Sequence, residues 1–133
     1  MRKILIIEDE QMLANMYRDK LEREGLEVLT AATSEEGFQK AKAEKPDAIL
    51  LDIILQNTNG LSFLWKKQDD PDIASIPVIA FSNFEDPKVK REALTLGACA
   101  YLLKTSHTPK DIVSQLKSCM LPENNPNENN PNN

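Results

Sequence analysis

Hydrophobic and polar positions along the chain follow two repeating patterns. Short apolar runs, typical of strands buried on both faces, lie at 3–7, 26–31, 48–51, 76–81 and 99–103. Apolar residues on one side predict helices over about 10–24 and from 109 onward, and three further helices are predicted over about 34–44, 61–67 and 87–96. Strands that alternate with helices in this way predict an α/β fold, with right-handed crossovers and a doubly wound parallel sheet covered on both faces.

The predicted helix ends carry residues that are suited to them. Thr33, with Glu36 three residues later, has the spacing of a capping box. Asp86 and Thr108 are each followed by proline, which is typical of an N-cap and the first helical position. Gly25 follows the first helix, where a left-handed residue commonly ends a helix. These signals place the helix ends independently of the apolar spacing.

Composition and charge narrow the class of protein. The chain has 133 residues, of which 41% are hydrophobic and 28% are charged, as in an ordinary soluble domain with one core. The net charge of -5 disfavours direct nucleic-acid binding, because phosphate contacts need an excess of Lys and Arg. No apolar run approaches the roughly 20 residues that span a bilayer, so we expect no membrane association. The apolar run after Met1 ends at Glu8, which favours a cytoplasmic protein over a secreted one.

The end of the chain differs in composition from the rest. Residues 122–133 comprise seven Asn, three Pro and two Glu. A segment with nothing to bury cannot offset the entropy of ordering. We therefore predict a folded domain over 1–121 and a disordered Asn/Pro-rich tail over 122–133.

The two cysteines suggest no chemistry from their spacing. Cys99 and Cys119 fit neither a CxxC motif nor a zinc-site pattern. Since cytoplasmic proteins keep most thiols reduced, we expect both residues to be free thiols.

Polar residues follow the predicted strands at the points where these end. Glu8 and Asp9 follow the first strand, Asp52 the third, Ser82 the fourth and Lys104 the fifth. The carboxyl ends of parallel strands meet at one edge of a sheet, where open α/β folds bind their ligands. We therefore expect these side chains to line one shallow cleft.

Three carboxylates in one cleft repel one another unless a cation lies among them. Oxygen ligands favour a hard cation, and Mg²⁺ in particular also accepts phosphate oxygens. Lys104 adds a positive charge and Ser82 adds a hydroxyl donor. This set is suited to a carboxylate that receives a phosphoryl group, as in covalent aspartyl-phosphate chemistry.

Each of these residues also has a simpler interpretation when taken alone. Glu8 and Asp9 are suited to the start of the following helix, where acids complement the helix dipole. Asp52 and Ser82 are ordinary turn residues, and an isolated Lys104 would be a solvated lysine. The functional hypothesis therefore depends on their joint position at four strand ends.

Four segments of the chain carry a family resemblance. They are Ile4–Glu10, Ile49–Asp52 with Gly60 eight residues further on, Val78–Asn83 and Gly97–Lys104. In this order and at these separations they resemble the receiver domain of bacterial two-component response regulators, of the single-domain, chemotaxis type. The resemblance covers residues 2–121, and it implies a flavodoxin-like three-layer sandwich with strand order 2-1-3-4-5.

The resemblance implies a phosphoacceptor and a metal site. Asp52 corresponds to the phosphoacceptor. The implied Mg²⁺ ligands are Glu8, Asp9, Asp52 and the main-chain carbonyl of Ile54. The phosphoryl donor is then a histidine kinase or a His-containing phosphotransfer protein. The resemblance implies no enzyme activity beyond self-catalysed phosphoryl transfer to Asp52 and slow self-dephosphorylation.

The same resemblance implies a switch and an output. Ser82 corresponds to the switch hydroxyl, Tyr101 to the switch aromatic and Lys104 to the phosphoryl-binding lysine. We expect a stand-alone receiver that binds a protein target, or a second copy of itself, through its fourth helix, fifth strand and fifth helix. Ile54 and Phe84 follow the acceptor and the switch serine by two residues each, and we expect them to exclude water and prolong the phosphoryl lifetime.

Two positions depart from the family pattern. Thr105 stands where the family usually has a proline in a cis bond, and a cis bond to a non-proline residue costs about 3–4 kcal/mol. We therefore predict a trans bond between Lys104 and Thr105. Gln56 replaces a frequent proline four residues after the acceptor, but the segment Asn57–Gly60 still favours a turn.

Three other functions are compatible with part of the pattern. A phosphohydrolase of the haloacid dehalogenase type needs a second Asp two residues after its nucleophile, where this chain has Ile54. A flavodoxin-like FMN-binding protein needs Ser, Thr or Gly after the first strand, and Glu8–Glu10 would instead repel phosphate. A receiver-shaped scaffold that is never phosphorylated has no need of the full set of site residues. Phosphorelay signalling is therefore the main hypothesis.

Overall fold

The protein folds as a parallel sheet between two layers of helices, and the computed structural model describes residues 2–55 and 60–120. The strands are β1 (Lys3–Ile7), β2 (Glu27–Ala31), β3 (Ala48–Asp52), β4 (Val78–Ser82) and β5 (Ala100–Leu103). The helices are α1 (Gln11–Arg23), α2 (Ser34–Glu44), α3 (Gly60–Asp69), α4 (Pro87–Thr95) and α5 (Pro109–Cys119). The alternation of strands and helices predicted from the apolar pattern is confirmed.

The sheet has the strand order β2-β1-β3-β4-β5, with every neighbouring pair parallel. This is the predicted order of a flavodoxin-like doubly wound fold. The register sets Ile7 beside Leu51, and Asp52 beside Phe81. Consequently the residues that follow β1, β3 and β4 reach the same edge of the sheet.

The core consists of one apolar cluster on each face of the sheet. On β1, Ile4 and Ile6 pack toward α1 and α5, whereas Leu5 and Ile7 pack toward α2, α3 and α4. All four side chains are fully buried. Burial on both faces explains why the strands appear in the sequence as unbroken apolar runs rather than as an alternation.

Side-chain caps fix the helix starts that the sequence predicted. The Thr33 hydroxyl accepts a hydrogen bond from the Glu36 backbone N–H at 3.0 Å. Asp86 caps α4 in the same way, and Thr108 forms a reciprocal capping box at α5. Gly25 adopts a φ of 89°, which gives the left-handed stop expected after α1.

Cys99 and Cys119 form a disulfide, so the expectation of two free thiols is wrong for this structure. The physical reason lies in the crossover from β5 to α5. The helix runs back along the strand, and its last residue returns to the level at which the strand begins. The pairing depends on this tertiary return, which the spacing of 20 residues does not reveal.

The remaining predictions about the chain concern its backbone and its ends. No cis peptide bond occurs among the described residues, so the bond between Lys104 and Thr105 is trans, as predicted. Gln56, residues 57–59 of the predicted turn, and the predicted tail lie outside the described residues. Within residues 2–55 and 60–120, none of the helices has the length and apolar character needed to cross a membrane.

Candidate functional site

A cleft of about 250 Å³ opens at the carboxyl edge of the sheet. Strand β3 contributes Asp52 at its last position, and β5 leads directly into Lys104. The residues that line the cleft are Asp9, Glu10, Asp52, Ile54, Asn83, Phe84 and Lys104. Of the strand-end residues expected to line one cleft, Asp9, Asp52 and Lys104 do so, whereas Glu8 and Ser82 are buried, at 2% and 1% exposed, and are not among its lining residues. Of these lining residues, Glu10 and Asn83 belong to the segments that carry the family resemblance but were assigned no part in the site.

Three carboxylates meet in this cleft. Ligand oxygens of Glu8, Asp9 and Asp52 all lie within 4.8 Å of one another. Glu8 and Asp52 are almost fully buried, at 2% and 4% exposed, because β1 and β3 hold them at the base of the cleft. A set of oxygen donors this close together fits a hard divalent cation such as Mg²⁺.

Lys104 bridges the two buried carboxylates. Its Nζ lies 2.7 Å from Glu8 Oε1 and 3.0 Å from Asp52 Oδ2. The ammonium also lies 4.6 Å from the centre of the Phe81 ring, a distance suited to a cation–π contact. The lysine side chain is only 7% exposed, so these contacts form with little competition from water.

Burial and charge change the acid–base properties of the bridge. Burial, with a contribution from the nearby Asp52 charge, raises the pKa of Glu8 to about 7, although the hydrogen bond from Lys104 opposes it. Burial alone would lower the pKa of Lys104, but the two carboxylates together raise it. One ammonium thus faces three carboxyl groups, and full ionisation leaves an excess of negative charge that a cation can balance.

Main-chain groups fix the position of the Asp52 carboxylate. The Ile54 N–H donates to Asp52 Oδ1 at 3.0 Å. Gly60 lies against the same segment, and its N–H donates to the Ile53 carbonyl at 2.8 Å. A Cβ atom on Gly60 would lie 2.6 Å from the Asp52 carbonyl oxygen, closer than any side chain tolerates. This close approach explains why a glycine, which has no Cβ, stands eight residues after Asp52.

Ser82 and Tyr101 are connected through the backbone of Phe84. The Phe84 N–H donates to Ser82 Oγ at 3.1 Å, and the Tyr101 hydroxyl donates to the Phe84 carbonyl at 3.0 Å. The sequence indicated the serine and the tyrosine but not this link. Sequence patterns report side chains, whereas here the connecting residue acts through its main chain.

Two apolar side chains stand at the mouth of the cleft. Ile54 is 53% exposed and Phe84 is 63% exposed. Both follow strand ends, and both line the cleft that contains the buried Asp52. Neither offers a polar group that could hold a water molecule over the carboxylate.

Comparison with known proteins decides the family. The sequence matches the response regulator receiver domain over residues 4–117. The chain belongs to this family. It is 32% identical over 112 residues to the polar-differentiation response regulator DivK of Brucella anthropi, covering 84% of this chain and 90% of DivK. It is also similar in structure to the chemotaxis protein CheY4 of Vibrio cholerae, with a TM-score of 0.84, 25% identity, and coverage of 90% of this chain and 99% of CheY4.

A longer regulator shows the same similarity over part of its length. The chain is 31% identical over 119 residues to the alkaline phosphatase synthesis transcriptional regulatory protein PhoP of Bacillus subtilis. The match covers 90% of this chain but 48% of PhoP, so the chain spans about half the length of that relative. Receiver domains of this family are signalling modules of two-component phosphorelays rather than classical enzymes.

Proposed function

We propose that this receiver accepts a phosphoryl group on Asp52 from a phosphohistidine of a histidine kinase or a phosphotransfer protein. The observation that carries the proposal is the position of this carboxylate. Asp52 ends the central strand, and its two oxygens contact Lys104 Nζ and the Ile54 N–H. In the transfer, the phosphorus–nitrogen bond to histidine breaks with its electron pair left on nitrogen. A phosphorus–oxygen bond to Asp52 forms in the same step.

Lys104, held in place by Glu8, offers a positive charge to the negatively charged phosphoryl group. Lys104 Nζ lies 3.0 Å from the acceptor carboxylate, close enough to donate to an oxygen of a phosphoryl group placed there. Glu8 anchors the same ammonium from the other side at 2.7 Å. The lysine is therefore already oriented before the phosphoryl group arrives, which reduces the reorganisation needed during transfer.

The acidic residues of the cleft fit a Mg²⁺ ion. We propose Glu8, Asp9, Asp52 and the main-chain carbonyl of Ile54 as its ligands, in keeping with the three converging carboxylates. When bound, Mg²⁺ supplies positive charge that offsets the carboxylates and the phosphoryl oxygens. The protein contributes the ordered acids, and Glu8 gives up its proton to serve as a ligand.

The output is proposed to follow from rearrangement of the loop after β4. A phosphoryl oxygen that accepts a hydrogen bond from Ser82 draws the hydroxyl away from the Phe84 N–H. The same residue provides the acceptor for Tyr101, which can then rotate into the space behind β4. Shifting the equilibrium between the inactive and active forms from 1:99 to 99:1 takes about 5.5 kcal/mol. Charge-assisted hydrogen bonds from Ser82 and Lys104 to the phosphoryl group contribute to this free energy.

The altered surface comprises α4, which follows this loop, β5, which carries Tyr101, and α5. We propose that it binds a downstream protein or a second copy of the receiver. A net charge of -5 argues against direct binding to nucleic acid. We also propose a cytoplasmic location without membrane attachment.

The test is phosphorylation by acetyl phosphate followed by intact-mass spectrometry. Wild-type protein with Mg²⁺ should gain one phosphoryl group, whereas Asp52→Asn should gain none, because an amide is a poor nucleophile. Asp19→Asn, a change at an exposed position of α1, is the matched control and should behave as wild type. EDTA should abolish the reaction. A phosphoryl group on the Asp52→Asn protein would overturn the proposal.

A further inference from the structure

We propose that the disulfide between Cys99 and Cys119 is a reversible covalent modification site, separate from Asp52, that fastens the end of α5 to the start of β5. The two cysteines are the only ones in the chain, and neither is among the residues that line the cleft around Asp52.

The pairing of β5 with β4 and the return of α5 bring the two cysteines together. Cys99 immediately precedes β5, and its N–H donates to the carbonyl of Val78, the first residue of β4, at 2.7 Å. Cys119 is the last residue of α5. The Cα atoms lie 6.2 Å apart, within the range of about 4.4–6.8 Å that disulfides span. The bond can therefore form and break within the same fold.

The bond is open to exchange with small thiols. Cys99 is exposed and Cys119 is partly buried against the cluster beneath α5. A thiolate needs direct access to a sulfur atom, and exposed disulfides are the more readily reduced. We specify a glutathione-type disulfide as the oxidant. One protein thiolate attacks it and releases one glutathione thiolate, and the second protein thiolate then displaces the other. The net result is one protein disulfide and two glutathione thiols.

Reduction is expected to leave the domain folded. Helix α5 is also held by Ile112 and Leu116, which are fully buried, and by Met120, which is 6% exposed. Loss of the bond therefore frees the last turn rather than the whole helix. The bond closes a loop of about 20 residues, and such a closure stabilises mainly by restricting the unfolded chain.

The bond lies at the edge of the sheet opposite the phosphoryl site. Cys99 lies beside the first residue of β4, whereas Lys104 follows the far end of β5. Five residues of extended chain separate the two by roughly 16 Å. Reduction should therefore leave phosphorylation of Asp52 intact. Because β5 and α5 belong to the proposed output surface, the bond would also restrain that surface, a consequence that rests on the proposed function.

The first measurement counts free thiols. The full chain is equilibrated with oxidised or reduced glutathione, alkylated, and analysed by intact-mass and non-reducing electrophoresis. We expect a monomer with no free thiol after oxidised glutathione and with two after reduced glutathione. Free thiols after oxidation, disulfide-linked dimers, or a bond that reduced glutathione fails to open in the folded protein would each overturn the proposal.

The second measurement localises the effect. Reduction should lower the melting temperature by roughly 10 °C. It should also speed amide exchange in the last turn of α5 by about tenfold or more, with β1 and β3 unchanged. The double variant Cys99→Ser with Cys119→Ser, which has no thiol left, should match the reduced wild type and be unaffected by glutathione. A glutathione-dependent melting temperature in that variant, or faster exchange spread over the whole sheet of the reduced wild type, would contradict the assignment.

Discussion

Removal of the Lys104 ammonium is the most informative single perturbation of the cleft. The substitution Lys104→Met keeps most of the aliphatic stem and deletes the charge. It breaks the contact of 2.7 Å with Glu8 and the contact of 3.0 Å with Asp52. Both carboxyl groups are almost fully buried, so water cannot replace the lost hydrogen bonds without opening the cleft.

The magnitude follows from the burial of the bridge. Removing one member of a buried ion pair typically costs about 3–5 kcal/mol. Here Glu8 has a pKa already raised to about 7 and can take up a proton, which limits the cost. We therefore expect a loss of about 3 kcal/mol, the lower end of that range. With an unfolding entropy of about 2.1 cal/mol/K per residue, this corresponds to a fall in melting temperature of roughly 10 °C.

The assay is urea or thermal unfolding near neutral pH, first in EDTA and then with Mg²⁺. The control is Lys66→Met, because Lys66 lies 3.7 Å from Glu35 with both side chains more than half exposed, at 60% and 67%. Such a surface pair contributes at most about 1 kcal/mol. Mg²⁺ should stabilise Lys104→Met more than wild type, since it supplies the missing positive charge. Equal stability of the two lysine variants, or equal stabilisation by Mg²⁺, would refute the reasoning.

Three further outcomes are expected. In EDTA, the free energy of unfolding should fall by up to about 3 kcal/mol as the pH rises from 4.5 through 7, because folding raises the pKa of Glu8. Mg²⁺ should suppress this loss, and a flat pH profile in EDTA would contradict the raised pKa of Glu8. After desalting, the phosphorylated protein should lose its phosphoryl group over a time on the order of hours, because Ile54 and Phe84 exclude water. The double variant Ile54→Asn with Phe84→Glu should lose it about tenfold faster, which corresponds to about 1.4 kcal/mol of activation barrier, and equal rates would contradict the role of these residues. Phosphorylation should shift amide resonances of α4, β5 and α5, and changes confined to α1 would count against the proposed output surface.

Much of the fold could be predicted because local and tertiary requirements agree. The runs at Ile4–Ile7 and Ala48–Leu51 are buried on both faces, so their composition alone indicates interior strands. The caps at Thr33 and Thr108 are local contacts that sequence reports directly. Strand β4 begins at Val78, whereas the apolar run begins two residues earlier, at residue 76. The apolar run alone therefore does not fix where strand pairing begins.

The candidate site could be predicted as a set of positions but not as a set of contacts. Glu8, Asp52 and Lys104 all follow strands, and the parallel sheet brings them together without any sequence signal for their mutual hydrogen bonds. The role of the Phe84 main chain was not predictable, since any residue type supplies the same N–H and carbonyl. The pairing of Cys99 depends on where α5 ends, which only the folded chain determines.

The location of the phosphoryl group tests the central claim most directly. Protein treated with acetyl phosphate and Mg²⁺ is reduced with borohydride, which converts an aspartyl phosphate to homoserine, and is then digested and sequenced by tandem mass spectrometry. The account predicts conversion at Asp52 alone, in amounts that match the gain in intact mass. Conversion at Asp9 instead, or a gain in mass with no converted residue at Asp52, would contradict it.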